Sequence, residues 1–314
     1  MENPRQKVDL VGLLNSGELV KVCAPMVRFT KLPFRQLVLK YGADIAVTPM
    51  IMSDSFVRSE RVRDLQFTSS SLDTPLVAQF AANNAQDFAD AAELVLPYVD
   101  GVDLNCGCPQ SWAMSDGYGA HLLTSPELIR DMVHQARERT HLPISIKIRV
   151  NSDLRRTYDL VRTVESAGVA YITVHGRTTK QRSSTPPDLE AIRLVKEHAS
   201  VPVLANGDIY SLRDAVSVRE KTGVNGVMAA RGMLDNPAMF AGYETTPLEC
   251  VQDFVDFSLS LGTSPSLFRH HLGYMLDSTM MGLDKRHFWS LHSTPAILEF
   301  LTDRYSITYN PTNF

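Results

Sequence analysis

The chain has 314 residues, 44% of them hydrophobic and 21% charged, a balance that excludes a disordered or fibrous protein and leaves ample apolar material for a core. Thirty-one Lys and Arg against 35 Asp and Glu give a formal charge of −4, which excludes a dedicated, strongly basic nucleic-acid-binding domain but not a local basic face. Four cysteines are too few for a disulfide framework, and no segment approaches the ~20 uninterrupted apolar residues of a membrane-spanning helix.

Met1–Lys21 mixes both charge signs and lacks the long apolar run of a signal peptide. From there, short apolar runs recur: Val20–Pro25, Ile45–Thr48, Leu76–Phe80, Val102–Asn105, Ile144–Arg149, Tyr171–His175, Val203–Asn206 and Val227–Ala230. Runs of this length, bounded by Gly or Pro, read as buried parallel strands. Helix-like stretches separate most of them: Phe34–Tyr41, Ala85–Leu96, Pro126–Arg139, Leu154–Ala167, Asp188–His198 and Ser211–Lys221. Alternation of this kind predicts βαβ units and a parallel sheet. Strands are entered through proline (Pro75, Pro143, Pro202) or through glycine (Gly42, Gly101, Gly168, Gly223), the glycines read as helix C-terminal residues in the left-handed region. Eight repeats of one format predict an α/β fold, a (β/α)8 TIM barrel over residues 1–243, with an open doubly wound sheet as the alternative.

After Tyr243 the format stops. Apolar residues recur at helical spacing in Leu248–Leu261, Leu267–Met281 and Phe288–Tyr305, which predicts an all-helical C-terminal domain of about three helices over 244–314. Thr245–Phe314 carries 4 basic and 7 acidic residues. The final Asn310–Phe314 is neither a lipidation nor a retention signal. The expected setting is the reducing cytoplasm.

In a parallel barrel, function collects at the C-terminal ends of the strands. Those ends carry Gln79, Asn105, Lys147, His175 and Asn206. Lys147, inside Ile144–Ile148, is costly to bury unless an anion or strong acceptor meets it; it snorkels to the surface, pairs with a carboxylate, or faces a bound redox ring that gains negative charge. Asn206-Gly207-Asp208 and Ala230-Arg231-Gly232 follow the last two strands, where barrels bind phosphate. Gly117-Tyr118-Gly119 lacks the strand-to-helix setting of a dinucleotide fingerprint. Cys106 reads as a buried structural thiol. Cys108 sits farther out, between Gly and Pro, where a thiol can act as an acid. Cys23 and Cys250 occupy unrelated contexts, which argues against zinc.

Taken in order, Ala24-Pro25-Met26, Val77–Phe80, Asn105–Pro109, Gly119-Ala120, Ile146–Arg149, Val174–Thr178, Ala205–Ile209, Val227–Gly232 and Asn236-Pro237 resemble the tRNA-dihydrouridine synthases. The resemblance implies an FMN-dependent oxidoreductase, acting as a monomer, that uses NADPH to reduce the C5–C6 bond of uridines in the tRNA D-loop at positions 20a/20b. It further implies that Pro25, Met26, Val27, Gln79, Lys147 and His175 contact the flavin. Asn206, Gly207, Asp208, Ala230 and Arg231 would hold its phosphate, Cys108 would donate the proton, and Asn105, Arg177 and Arg269 would meet the RNA. Arg269, Lys285 and Arg286 are expected to share one face with His271; Arg58, Arg61, Arg63, Arg155, Arg156 and Arg182 on the barrel are the next candidates for the grip. The rival readings are an enzyme of the dihydroorotate dehydrogenase type acting on a free pyrimidine, and an RNA-binding protein that has kept a barrel without its chemistry.

Overall fold

The computed structural model describes residues 6–310; Met1–Arg5 and Pro311–Phe314, which open and close the terminal stretches read above, lie outside them. Among the described residues, nine strands form one parallel sheet: β1 (Val20–Cys23), β2 (Ile45–Val47), β3 (Ile51–Met52), β4 (Leu76–Ala81), β5 (Gly101–Cys106), β6 (Ile144–Arg149), β7 (Tyr171–His175), β8 (Val203–Asn206) and β9 (Gly226–Ala229). Pairing runs β2-β1-β9-β8-β7-β6-β5-β4, and β2 also pairs with β4, so eight strands close on themselves. The closed barrel settles the choice against an open sheet. β3, unmarked in the sequence because it is two residues long, only extends the edge of β4 at Phe80 and Ala81.

Strand periodicity sorts the side chains. Ile144, Ile146 and Ile148 pack outward into the layer shared with the helices, while Ser145 and Lys147 alternate inward. The lower interior is filled by Val20, Val22, Ile45, Val47, Val77, Tyr171, Leu204 and Met228. A short helix at Leu10–Leu14 closes the floor, burying Leu10 and Leu14 in that cluster. Gly101 is the first residue of β5 rather than a helix terminus. A Cβ there would lie 2.8 Å from Leu10 Cδ1 and 3.1 Å from Pro143 O, so glycine serves the closeness of the floor helix.

Helices Leu32–Lys40, Ala85–Val95, Pro126–Thr140, Leu154–Ser166, Leu189–His198 and Leu212–Thr222 cover the outside. Leu248–Ser260 packs against Leu32–Lys40, and Asp253 receives both Lys40 Nζ and Tyr41 Oη at 2.7 Å. This helix therefore completes the outer ring and joins the C-terminal segment to it. Helices Pro265–Met275, Gly282–Ser290 and Thr294–Tyr305 follow. The expected single helix over 288–305 is two, because Ser293 caps the backbone N–H of Ala296 and Pro295 opens a new first turn.

One buried ion pair ties the front of the barrel together. Arg35, 1% exposed, donates from Nη2 to Asp73 Oδ2 at 2.6 Å and to Thr68 O at 2.6 Å, and from Nη1 to Thr30 O at 2.7 Å. Removing one partner from such a pair costs about 3–5 kcal/mol, since the other charge stays buried. Arg35→Met should therefore lower the thermal midpoint further than the double variant Arg35→Met/Asp73→Leu. Equal midpoints for the two would show that the lost charge pairing is not the cause.

Candidate active site at the barrel mouth

Near the C-terminal ends of the strands the inward residues change from apolar to polar. Gln79 stands beside Asp103, Asn105 beside Lys147, and His175 beside Asn206 across neighbouring strands. A hydrogen-bond chain links the first of these. Ser145 Oγ donates to Asp103 Oδ1 at 2.7 Å, and Gln79 Nε2 donates to Asp103 Oδ2 at 2.8 Å. Asn105 Nδ2 donates to Gln79 Oε1 at 2.9 Å, and Asn105 Oδ1 accepts the backbone N–H of Cys108 at 2.9 Å. Burial pushes the Asp103 carboxyl up to about 6, against the pull of Ser145, Gln79 and Lys147. Gln79 itself is fully buried with both ends of its amide in use, so it orients Asn105.

The Cys108 loop is held from both sides. Its N–H is fixed by Asn105, and its carbonyl accepts the N–H of Ala120 at 2.9 Å. The thiol borders a small apolar cluster of Ala81, Ala113 and Tyr118. Cys106 is fully buried, and burial raises its thiol well above the usual range, as suits a packing residue.

Beside this loop lies a cleft of about 200 Å³ lined by Pro25, Lys147, His175, Asn206, Gly207, Asp208, Ala230 and Arg231, among others. Its charged lining is Lys147, Arg177 and Arg231 against the single carboxylate of Asp208. Asp208 accepts from Arg231 Nη2 at 2.7 Å and also from Arg177 Nη2. Arg177, expected on the substrate side, is 2% exposed and further donates to Thr185 O and Ser183 O. It braces the loop after β7 against the loop after β8. His175 Nδ1 accepts the N–H of Arg177 at 3.1 Å, which puts the ring proton on Nε2. Burial first, then the cations at Lys147, Arg149, Arg177 and Arg231, hold the imidazole pKa down at about 2, so it is neutral at physiological pH. Lys147 is lowered to about 8 by burial and then by Arg149, while charge at Asp103 and at Cys108 raises it.

Met26 and Val27 sit on the rim, Val27 at 56% exposure, rather than in the lining. The C-terminal grip differs from expectation. His271 is 1% exposed, its ring stacked 4.5 Å from Phe34 and its Nε2 donating to Phe29 O at 3.1 Å; it joins the helices to the β1 loop and offers nothing to solvent. Arg269 Nη1 donates to Leu291 O at 2.6 Å and to Trp289 O at 3.2 Å, and Lys285 pairs with Asp277 at 2.5 Å. The residues that sequence reasoning passed over are Asp103, Ser145 and Arg149. Asp103 lay in view, two positions before Asn105 and so on the same strand face.

Gly119 has φ +61°, and a Cβ there would lie 2.6 Å from Cys108 O and 2.9 Å from Cys108 Cβ. Gly119→Ala should therefore shift the Cys108 loop, lowering the thermal midpoint and slowing thiol-dependent turnover at least tenfold (about 1.4 kcal/mol). Unimpaired turnover would show that the loop has room to give.

The comparisons with known proteins agree with this geometry. The dihydrouridine synthase (Dus) family profile matches residues 22–296. A Mus musculus protein described as tRNA-dihydrouridine(20a/20b) synthase (NAD(P)+)-like is 54% identical over 303 residues, covering 96% of this chain and 93% of its own. The Schizosaccharomyces pombe tRNA-dihydrouridine(20a/20b) synthase (NAD(P)+) is 44% identical, with 86% and 82% covered. Among solved structures, histamine dehydrogenase from Rhizobium sp. 4-9 shares the fold, with a TM-score of 0.52 at 12% identity over 69% of this chain and 44% of that one. An eight-stranded parallel barrel whose mouth sets a held cysteine beside a cationic cleft, matched by this profile over most of its length, makes the chain a member of the dihydrouridine synthase family.

Proposed function

We propose that this protein reduces the C5–C6 double bond of uridine in the tRNA D-loop, at positions 20a and 20b, with NADPH as electron donor and FMN as resident cofactor, in the cytoplasm. The observation that carries the reading is the Cys108 thiol, fixed through Asn105 and Ala120 at the mouth of a cation-lined barrel. The relatives' names supply the tRNA positions and the nicotinamide donor.

The cleft suits FMN in charge and in shape. Three cations face one carboxylate, which favours an anionic group. At Gly232 a Cβ would lie 2.3 Å from Ile209 O and 2.8 Å from Tyr210 Cα, so the two phosphate-side loops touch backbone to backbone and leave their N–H groups for a ligand. Among the described residues, the Lys147 ammonium lines the cleft with no hydrogen bond or ion pair to the chain. Asn206 Nδ2 donates to Met228 O at 2.7 Å, fixing β8 to β9 beneath that surface.

FMN, when bound, supplies hydride transfer from NADPH to the pyrimidine. The chain supplies the rest. Lys147 would place a positive charge beside the ring, Arg231 and the Gly207 and Gly232 loops would hold the phosphate, and neutral His175 presents Nε2–H as a donor. The extruded base meets Cys108, whose thiol gives its proton to C5. The resulting thiolate lies within the field of Lys147 and Arg149 and regains a proton from solvent when product leaves. The C-terminal helices flank the mouth, and we assign residues 244–314 to contact with the tRNA body.

Purified protein should carry non-covalent FMN and absorb as a flavoprotein; folded protein that takes up no added FMN would refute the cofactor assignment. Cys108→Ala should leave flavin reduction by NADPH intact while lowering dihydrouridine formation on tRNA by about 10²-fold or more. Cys106→Ala should cost only about 1 kcal/mol of stability. Equal turnover by the Cys108 variant would remove its role.

The pH dependence has a defined sign. Lys147 loses its proton as pH rises through about 8, so flavin reduction should slow across that range. Asp103 is already ionised there and helps to keep the lysine charged. Asp103→Asn should accordingly move the fall to lower pH in stopped-flow profiles. A profile unchanged by the substitution would show that Lys147 does not set it.

A further inference from the structure

A second cleft opens on the same end of the barrel, between the loops after β6 and β7. It measures about 310 Å³, and its polar lining is Asn151, Ser152, Arg156, Thr178, Thr179 and Lys180. The two segments that form it, 149–156 and 177–182, carry six cations against one acid, Asp153. Arg149 and Arg177 are used internally. Arg155, Arg156, Lys180 and Arg182 are exposed and, among the described residues, their side chains have no ion pair or hydrogen bond. Asp153 sits at the head of helix Leu154–Ser166, where its Oδ1 accepts the N–H of Arg155 at 3.1 Å. The walls are braced from below: Asn151 Oδ1 accepts the N–H of Asp153 at 3.0 Å, and Gln181 Oε1 accepts the N–H of Thr178 at 2.8 Å.

Arg149 connects this cleft to the chemistry. Its Nη1 donates to Thr178 O at 3.1 Å and its Nε to Gly107 O at 2.9 Å, so one guanidinium joins the cleft wall to the residue before Cys108. The C-terminal helices offer less free charge: Arg269 caps backbone carbonyls, Lys285 pairs with Asp277 and Arg304 pairs with Asp284, which leaves Arg286 as the basic side chain there without such a partner among the described residues. Cations that are free to neutralise phosphate therefore concentrate on the barrel rim next to the thiol.

We propose that this cleft seats a phosphodiester of the RNA substrate, on the strand adjoining the nucleotide held in the mouth, with Arg156 and Lys180 as its charged contacts. The inference rests on tRNA being the substrate. A phosphate fixed here orients the backbone while leaving sequence unread, as phosphate contacts do. It also accounts for RNA binding by a chain whose total charge is −4.

The test compares wild type with Arg156→Gln/Lys180→Gln and with a charge-matched control on the outer helices, Arg162→Gln/Arg213→Gln. Binding of transcribed tRNA is titrated at several salt concentrations, with flavin absorbance as the check on folding. The cleft variant should bind roughly tenfold more weakly, with a salt slope shallower by about 1, while the control matches wild type. Unchanged affinity and slope in the cleft variant, with wild type active on tRNA, would overturn the assignment. So would a raised KM for NADPH but not NADH at unaltered tRNA affinity, which would give the cleft to the 2′-phosphate of the dinucleotide. Absence of tRNA binding by wild type at every salt concentration would instead defeat the proposed function itself, and this inference with it.

Discussion

A single buried carboxylate orders the mouth of this barrel. Asp103 takes one hydrogen bond from Ser145 and one from Gln79, and Gln79 passes the order to Asn105 and so to the N–H of Cys108. Each member has one geometry because its partner leaves no second choice of donor or acceptor. A buried network of this kind is valuable only when fully satisfied, since a loose end would carry the whole desolvation cost. The thiol on a loop thereby inherits the rigidity of three strands, β4, β5 and β6. Loops that carry chemistry commonly depend on a rigid scaffold in this way.

Charge is the second constraint. Lys147, Arg149, Arg177 and Arg231 crowd one end of the barrel, and they add to burial, the larger cause, in holding His175 neutral. Gathering them is unfavourable unless something negative is brought in. Asp208 meets part of the need by pairing with Arg177 and Arg231, and Asp103 meets part of it at Lys147. The remainder is what a phosphate and a reduced ring would satisfy. The same accounting extends outward to Arg155, Arg156, Lys180 and Arg182, where an RNA backbone would be the counterion. Charge repulsion built into the free protein thus becomes affinity for its ligands.

Much of the barrel was legible because parallel strands buried on both faces leave short apolar runs, and Gly and Pro mark their ends. The two-residue β3 was not, since two residues carry no period. Short helices such as Leu10–Leu14 and Ser111–Ser115 escaped for the same reason. At the site, strand ends pointed to Gln79, Asn105, Lys147, His175 and Asn206, and the fold brings all five to one end. What each does was less legible. Gln79 and Arg177 carry polar groups whose partners are distant in sequence or on other loops, a neighbouring strand for Gln79 and the loops after β7 and β8 for Arg177, so only the closed barrel shows that both brace neighbours. His271 looked like part of a basic turn beside Arg269, yet the ring is apolar enough on its faces to stack on Phe34, and packing decided its position. Sequence displays charge; it does not display which charges have already found partners.

The most direct measurement is the map of dihydrouridine in tRNA from cells lacking this protein, repeated after restoring wild type or Cys108→Ala. The expected result is loss of dihydrouridine at positions 20a and 20b with the other D-loop sites retained, recovery with wild type, and none with the cysteine variant. Dihydrouridine undiminished at 20a and 20b in the depleted cells, or full recovery with Cys108→Ala, would contradict the assignment of this barrel mouth and its thiol to that reaction.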